Sequence, residues 1–152
     1  MSHVVEVDQS GRVEETNRDT VLAFSNGTQY SVLIPARVKR DCLRALRLQG
    51  FKGNRFSLQV FTIGLFYLLK NHIKLVDRIM IDREYPGHEG RIKDNLINCL
   101  YRAGIVIDSN KIHFTYIGDH PPVHVLALSV FRKKIKPNVI LTTEDIMKVF
   151  KP

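Results

Sequence analysis

The first 34 residues carry short apolar blocks separated by turn residues. Val4, Val5 and Val7 lead into Asp8, Ser10 and Gly11, the pattern of a strand that ends on an acid. The stretch RDTVLAFSNGTQYSVLIPA holds two β-rich runs joined by Asn26-Gly27. That dipeptide predicts a hairpin, because both residues tolerate the positive φ of a type I′ turn. Residues 4 to 34 are therefore expected to form a three-stranded antiparallel meander.

After Pro35 the period changes. Val38, Cys42, Ala45 and Leu46 recur at helical spacing, predicting a helix from Ala36 to Gln49 that Gly50 terminates. FSLQVFTIGLFYLLKNHI follows the loop GFKGNR and reads as a buried core helix capped by Ser57 and ending near His72. VDRIMID, residues 76–82, is a short strand that again ends on an acid. An amphipathic helix follows through Ile92, Leu96, Cys99 or Leu100, and Ala103, and Gly104 closes it. KIHFTYIG is a further strand, and DHPPVHVLALSVFRKK a helix that Asp119 or His120 caps, with proline at its first position. A last short helix begins at a Thr143 cap, with Glu144 and Asp145 in its first turn.

This order predicts an α/β fold built on a mixed five-stranded sheet: three antiparallel strands, then strand, helix, strand and helix. The later strands pair in parallel through right-handed crossovers, and helices cover the faces. No repeat or linker divides residues 1–152, so a single domain is expected. A chain of this length buries enough surface to fold without disulfide or metal staples. Cys42 and Cys99 lack CxxC spacing and read as reduced packing residues of a cytoplasmic protein. The N-terminal MSHVVEVDQSG lacks the basic and apolar regions of a secretory signal, and the apolar helix is too short to span a bilayer comfortably.

The formal net charge of +8 favours an anionic partner, and its distribution sharpens that expectation. Arg37, Arg40, Arg44 and Arg47 follow steps of three, four and three, so they share one arc of the predicted helix opposite much of its apolar side. Lys52 and Arg55 follow beside Phe51 and Phe56, a mixture that can grip phosphate and stack bases. A solvated helix face and core-packing phenylalanines are the bland readings of the same residues. The stripe predicts binding to nucleic acid, either DNA or RNA.

The element order, together with VDQSG at the end of the first strand, resembles the ribonuclease H-like (retroviral integrase-like) superfamily. That group includes ribonuclease H, transposases, integrases, Holliday-junction resolvases and the nuclease domain of Argonaute proteins. The resemblance covers about residues 4 to 134 and is one of topology. It implies a first acid at Asp8 and another at Asp82, in IMIDREYPG. A further acid or histidine would come from Asp119, His120 or His124, before or in the last conserved helix. Many members carry a glutamate on the first long helix. Here the acid on that helix is Asp41, set between its apolar and basic sides, and Glu14, Glu15 and Glu84 are the other candidates.

The chemistry these residues imply is phosphodiester hydrolysis with Mg²⁺ or Mn²⁺. Such cations prefer hard oxygen ligands, so carboxylates from several elements must converge on them. Asp8, Asp82 and Asp119 are the expected ligands, and His124 completes the catalytic set. Each acid taken alone is more often a turn or capping residue than a ligand. The alternative to a nuclease is a non-catalytic nucleic-acid-binding module, or an adaptor in a larger protein complex. No P-loop, GxGxxG or GxSxG is present, which disfavours nucleotide kinases, Rossmann oxidoreductases and common hydrolases.

Overall fold

Valines, threonines and aromatic residues at alternating positions build the first three strands, β1 (Val4–Ser10), β2 (Thr20–Asn26) and β3 (Thr28–Ile34), which pair antiparallel. A computed structural model describes residues 3–26, 28–52, 55–117 and 122–150 of the chain. β4 (Arg78–Asp82) lies parallel to β1, and β5 (Ile112–Thr115) lies parallel to β4. A two-residue strand, β6 (Val139–Ile140), pairs parallel with β3. The sheet is therefore six-stranded, in the order β5-β4-β1-β2-β3-β6, rather than five-stranded as the sequence predicts. Two residues are too few to show a strand period, so β6 leaves no hydropathy signal.

The hairpin also differs from expectation. Ser25 pairs with Gln29 and Asn26 with Thr28, whereas a two-residue Asn26-Gly27 loop would pair Ser25 with Thr28. Gly27 itself lies outside the described residues.

Strand alternation divides the helices between the two faces. Val5, Val7, Leu22, Phe24, Ile79 and Ile81 face the larger core, which takes in α1 (Ala36–Leu48), α2 (Phe56–Leu69), α3 (Glu89–Arg102) and α5 (Thr143–Met147). α2 is apolar all round and correspondingly buried through Leu58–Leu69 apart from Gln59, as a central helix must be. Among the described residues no helix is long and apolar enough to cross a membrane. On the opposite face α4 (Pro122–Phe131) packs Val123, Leu126, Ala127 and Val130 against Val21 and Ala23. α4 begins at Pro122 among the described residues, and the expected Asp119 or His120 cap lies outside them.

Two helix caps fall elsewhere than expected. α2 starts at Phe56 with Arg55 at its cap and no side-chain cap bond, so Ser57 is already inside the helix. α5 is capped by Thr142 rather than Thr143: its hydroxyl accepts from the Asp145 N–H while the Asp145 carboxylate accepts from the Thr142 N–H. Asp145 stands at the third helical position only if Thr142 is the cap, and this reciprocal pair selects between the adjacent threonines.

The loop from β1 to β2 is held by a buried lysine of α1. Lys39 is 0% exposed. Its Nζ donates to the Arg12 carbonyl at 3.2 Å, the Glu15 carbonyl at 2.8 Å and the Thr20 Oγ1 at 2.9 Å, filling all three donor positions. Burial pushes its pKa down to about 8, against the pull of the Asp19, Glu15 and Glu14 carboxylates. The loop begins at Gly11, whose φ of +79° suits glycine, and a Cβ there would lie 2.1 Å from the Asp19 carbonyl oxygen. Gly11→Ala is expected to cost about 2–4 kcal/mol, through the left-handed backbone and the forced displacement of Asp19. Urea denaturation measures this, and an unchanged midpoint would mean that Gly11 is not fixed in this geometry.

Candidate metal centre

Sheet register brings the two strand-end acids together. Val7 pairs with Ile81 across the parallel β1–β4 ladder, so Asp8 and Asp82, one residue further on, emerge side by side on the α4 face. Across the antiparallel ladder Asp8 stands opposite Ala23, a small residue that leaves room beside the carboxylate. Beyond β4 the chain turns sharply: the Glu84 N–H donates to the Asp82 carbonyl at 2.9 Å, closing a three-residue turn that keeps Glu84 beside Asp82. Carboxylate oxygens of Asp8, Asp82 and Glu84 all lie within 4.8 Å of one another.

Asp8 is only 3% exposed. Its Oδ1 accepts from the Gln9 N–H at 2.8 Å, and its Oδ2 lies 2.9 Å from Nδ1 of His124, in the first turns of α4. With Asp8 ionised, Nδ1–H donates to it and Nε2 is left as the free ring nitrogen. Asp82 Oδ1 accepts from the Ile117 N–H at 2.9 Å, which ties the end of β4 to the segment after β5.

The cluster is electrostatically strained. Burial pushes the Asp8 pKa up to about 6 and the neighbouring Asp82 adds to this, while the bonds from His124 and the Gln9 N–H pull the other way. Glu84 is pushed up to about 8, first by burial, then by the charge and hydrogen bonding of Asp82 and by Asp8, with the Arg12 guanidinium opposing. Asp8 and Glu84, gathered with Asp82 in one half-buried place, bind protons more firmly than ordinary carboxyl side chains do, and a divalent cation answers the same need. The donor set is oxygen only, which suits Mg²⁺ or Mn²⁺ better than zinc.

The other expected site residues divide into three groups. Asp119 and His120 lie outside the described residues. Asp41 is not in the cluster; it pairs with Arg44 on its own helix, Oδ1 to Nη1 at 3.6 Å, because the two are one turn apart. Glu84 is the further carboxylate that joins Asp8 and Asp82, whereas Glu14 accepts from the Tyr85 hydroxyl at 3.3 Å.

Among the basic candidates, Arg37, Arg40, Arg44 and Arg47 are all exposed along α1. Arg40 donates to the Thr16 carbonyl at 2.8 Å, so Arg40 and Arg44 already have partners within the fold. β1 and β3 run in the same direction, so α1 begins at the end of the sheet where Asp8 and Asp82 lie. Lys52 and Arg55 are exposed as well. Phe56 is buried in the core, and Phe51 packs edge-to-face on Phe150 with ring centroids 5.4 Å apart. Neither ring is a free stacking platform. No protein-family model, curated protein or solved structure matches this chain.

Proposed function

We propose that this chain is a ribonuclease H-like, nucleic-acid-binding protein that hydrolyses phosphodiester bonds at the Asp8, Asp82 and Glu84 carboxylates with Mg²⁺ or Mn²⁺. The observation that carries this reading is the parallel β1–β4 register, which sets two strand-end acids from distant parts of the sequence beside each other and beside Glu84. Three antiparallel strands, the helical region α1–α2, then strand, helix, strand and helix support the family reading; β6 and α5 are additions to that order.

When bound, a divalent cation would lower the pKa of a water and neutralise charge on the leaving oxygen. The protein's own groups have separate tasks. Asp8, Asp82 and Glu84 supply the anionic oxygens. His124 fixes the orientation of Asp8 through Nδ1, and its Nε2 can exchange a proton with substrate or water. The test is cleavage of labelled single-stranded, duplex, hybrid and branched substrates in Mg²⁺, Mn²⁺ or EDTA. Metal-dependent scission of any of them supports the proposal; none under any metal condition rejects it.

The exposed arginines of α1 favour a second reading, a nucleic-acid-binding module without catalysis. Arg37 and Arg47 have no ion-pair partner among the described residues. Replacing both with glutamine is expected to weaken duplex binding similarly for all sequences. The slope of log affinity against log salt should fall by about 0.9 for each phosphate that is no longer neutralised. A titration with an unchanged slope would leave the stripe as a solvated helix face.

A further inference from the structure

The helical layer on the far side of the sheet from Asp8 contains a cavity of about 610 Å³ between α2 and α3. Its volume is within the usual range for small-molecule sites, roughly 300–1,000 Å³. Arg91, Asn95, Asn98 and Arg102 border it at steps of four, three and four, the spacing of one helix face. Arg55, at the cap of α2, supplies a third guanidinium. Among the described residues no acidic side chain borders the cavity, and none of the three arginines has a carboxylate within ion-pair distance. The polar partner of Arg102 is the Cys99 sulfur, to which its Nη2 donates at 3.4 Å. Three unneutralised guanidiniums on one cavity form a site for a multiply charged anion, and the planar fork of arginine matches phosphate.

A bare anion would leave most of this space unfilled. The rest of the wall suits an organic body: Leu58, Ile63 and Val149 are apolar, and the Tyr101 ring is 67% exposed at the rim. Asn95 and Asn98 offer both donors and acceptors, and Gln59, also in the wall, has a buried Oε1 with no hydrogen-bond partner among the described residues. Phosphate-binding arginines, a flat aromatic face and side-chain amides together match the three parts of a nucleotide: phosphate, ring and base edge.

We propose that the cavity between α2 and α3 binds a nucleoside monophosphate, either free or as the phosphorylated end of a nucleic-acid strand. The site is separate from the carboxylate cluster and does not depend on catalysis there.

Isothermal titration of the full chain in EDTA and low salt tests this, using the four common nucleoside monophosphates, adenosine, inorganic phosphate, and a tetranucleotide with either a 5′-phosphate or a 5′-hydroxyl. At least one monophosphate is expected to bind about tenfold more tightly than inorganic phosphate or adenosine. Arg91→Gln and Arg102→Gln should each weaken it by about tenfold, the loss of a charge-assisted bond. Both arginines are exposed, so unchanged thermal melting of the variants separates lost binding from lost fold. A 5′-phosphorylated tetranucleotide that outcompetes the monophosphate assigns the site to strand ends; the reverse assigns it to free nucleotide. Three results overturn the proposal: no nucleotide binding at millimolar concentration, inorganic phosphate binding as tightly as any nucleotide, or full binding by both arginine variants.

Discussion

Asp8→Asn is expected to reduce metal-dependent cleavage by on the order of 10³-fold while the protein stays folded. Asparagine is nearly isosteric, and its oxygen can still accept from the Gln9 N–H that now bonds to Asp8 Oδ1. What it loses is the negative charge with which, on the proposed reading, Asp8 would hold a divalent cation beside Asp82 and Glu84. Its amide nitrogen would face His124 Nδ1, which must then accept rather than donate, moving the ring proton to Nε2. That tautomer can no longer take a proton at Nε2, so on the proposed reading the substitution removes a metal ligand and disables the adjacent base together. Stability should change little, because losing one hydrogen bond of modest net value is offset by relief of repulsion among three carboxylates. Initial rates in Mg²⁺ and Mn²⁺, alongside thermal melting, decide the matter. Cleavage within about tenfold of the parent would remove Asp8 from the reaction, since a lost metal ligand costs far more than that.

The parts of this site that are legible in the sequence are those set by strand termini. Asp8 and Asp82 each follow an apolar run, and sequence alone marks both as acids leaving a sheet; their adjacency depends on β1 pairing with β4, a long-range choice that no local pattern encodes. Glu84 is one of three open candidates in the sequence because its position comes from a three-residue turn after β4 rather than from strand or helix period. Taken singly, His124 reads more readily as an exposed first-turn residue, and only the docking of α4 against β1 brings it to Asp8. Lys39 is hidden for the opposite reason. It lies in sequence among Arg37, Arg40 and Arg44 but outside their stripe, on the same side of α1 as Cys42 and Leu46. Three oxygens from the β1–β2 loop and β2 compensate its burial, and those acceptors are invisible until the loop is folded.

The second large effect is a pH dependence that metal should cancel. In the folded, metal-free chain Asp8 is pushed up from 3.8 to about 6 and Glu84 from 4.5 to about 8. Between those ordinary and raised values the folded chain holds more protons than the unfolded chain, so stability must fall as pH rises. The loss begins above about pH 4 and is complete above about pH 8, when both groups are ionised in either state. The net charge of +8 acts in the other direction on acidification, because a more cationic chain repels itself. The clean readout is therefore the difference between the parent and Glu84→Gln, in which that background cancels. In EDTA, Glu84→Gln should melt close to the parent at pH 5 and above it at pH 8, by about 1–2 kcal/mol after allowance for solvent screening of the half-buried group. Divalent ions compete with protons for the same oxygens, so their affinity should rise through pH 6 to 8. At a concentration about 100 times the dissociation constant, Mg²⁺ or Mn²⁺ should raise the parent's melting temperature at pH 8 by roughly 5–10 °C, with little shift at pH 5. Glu84→Gln should lose most of the metal-induced shift, since it keeps a neutral oxygen but not the charge. Parallel melting curves for parent and variant at both pH values, with and without metal, would show that these carboxylates neither share protons nor hold an ion.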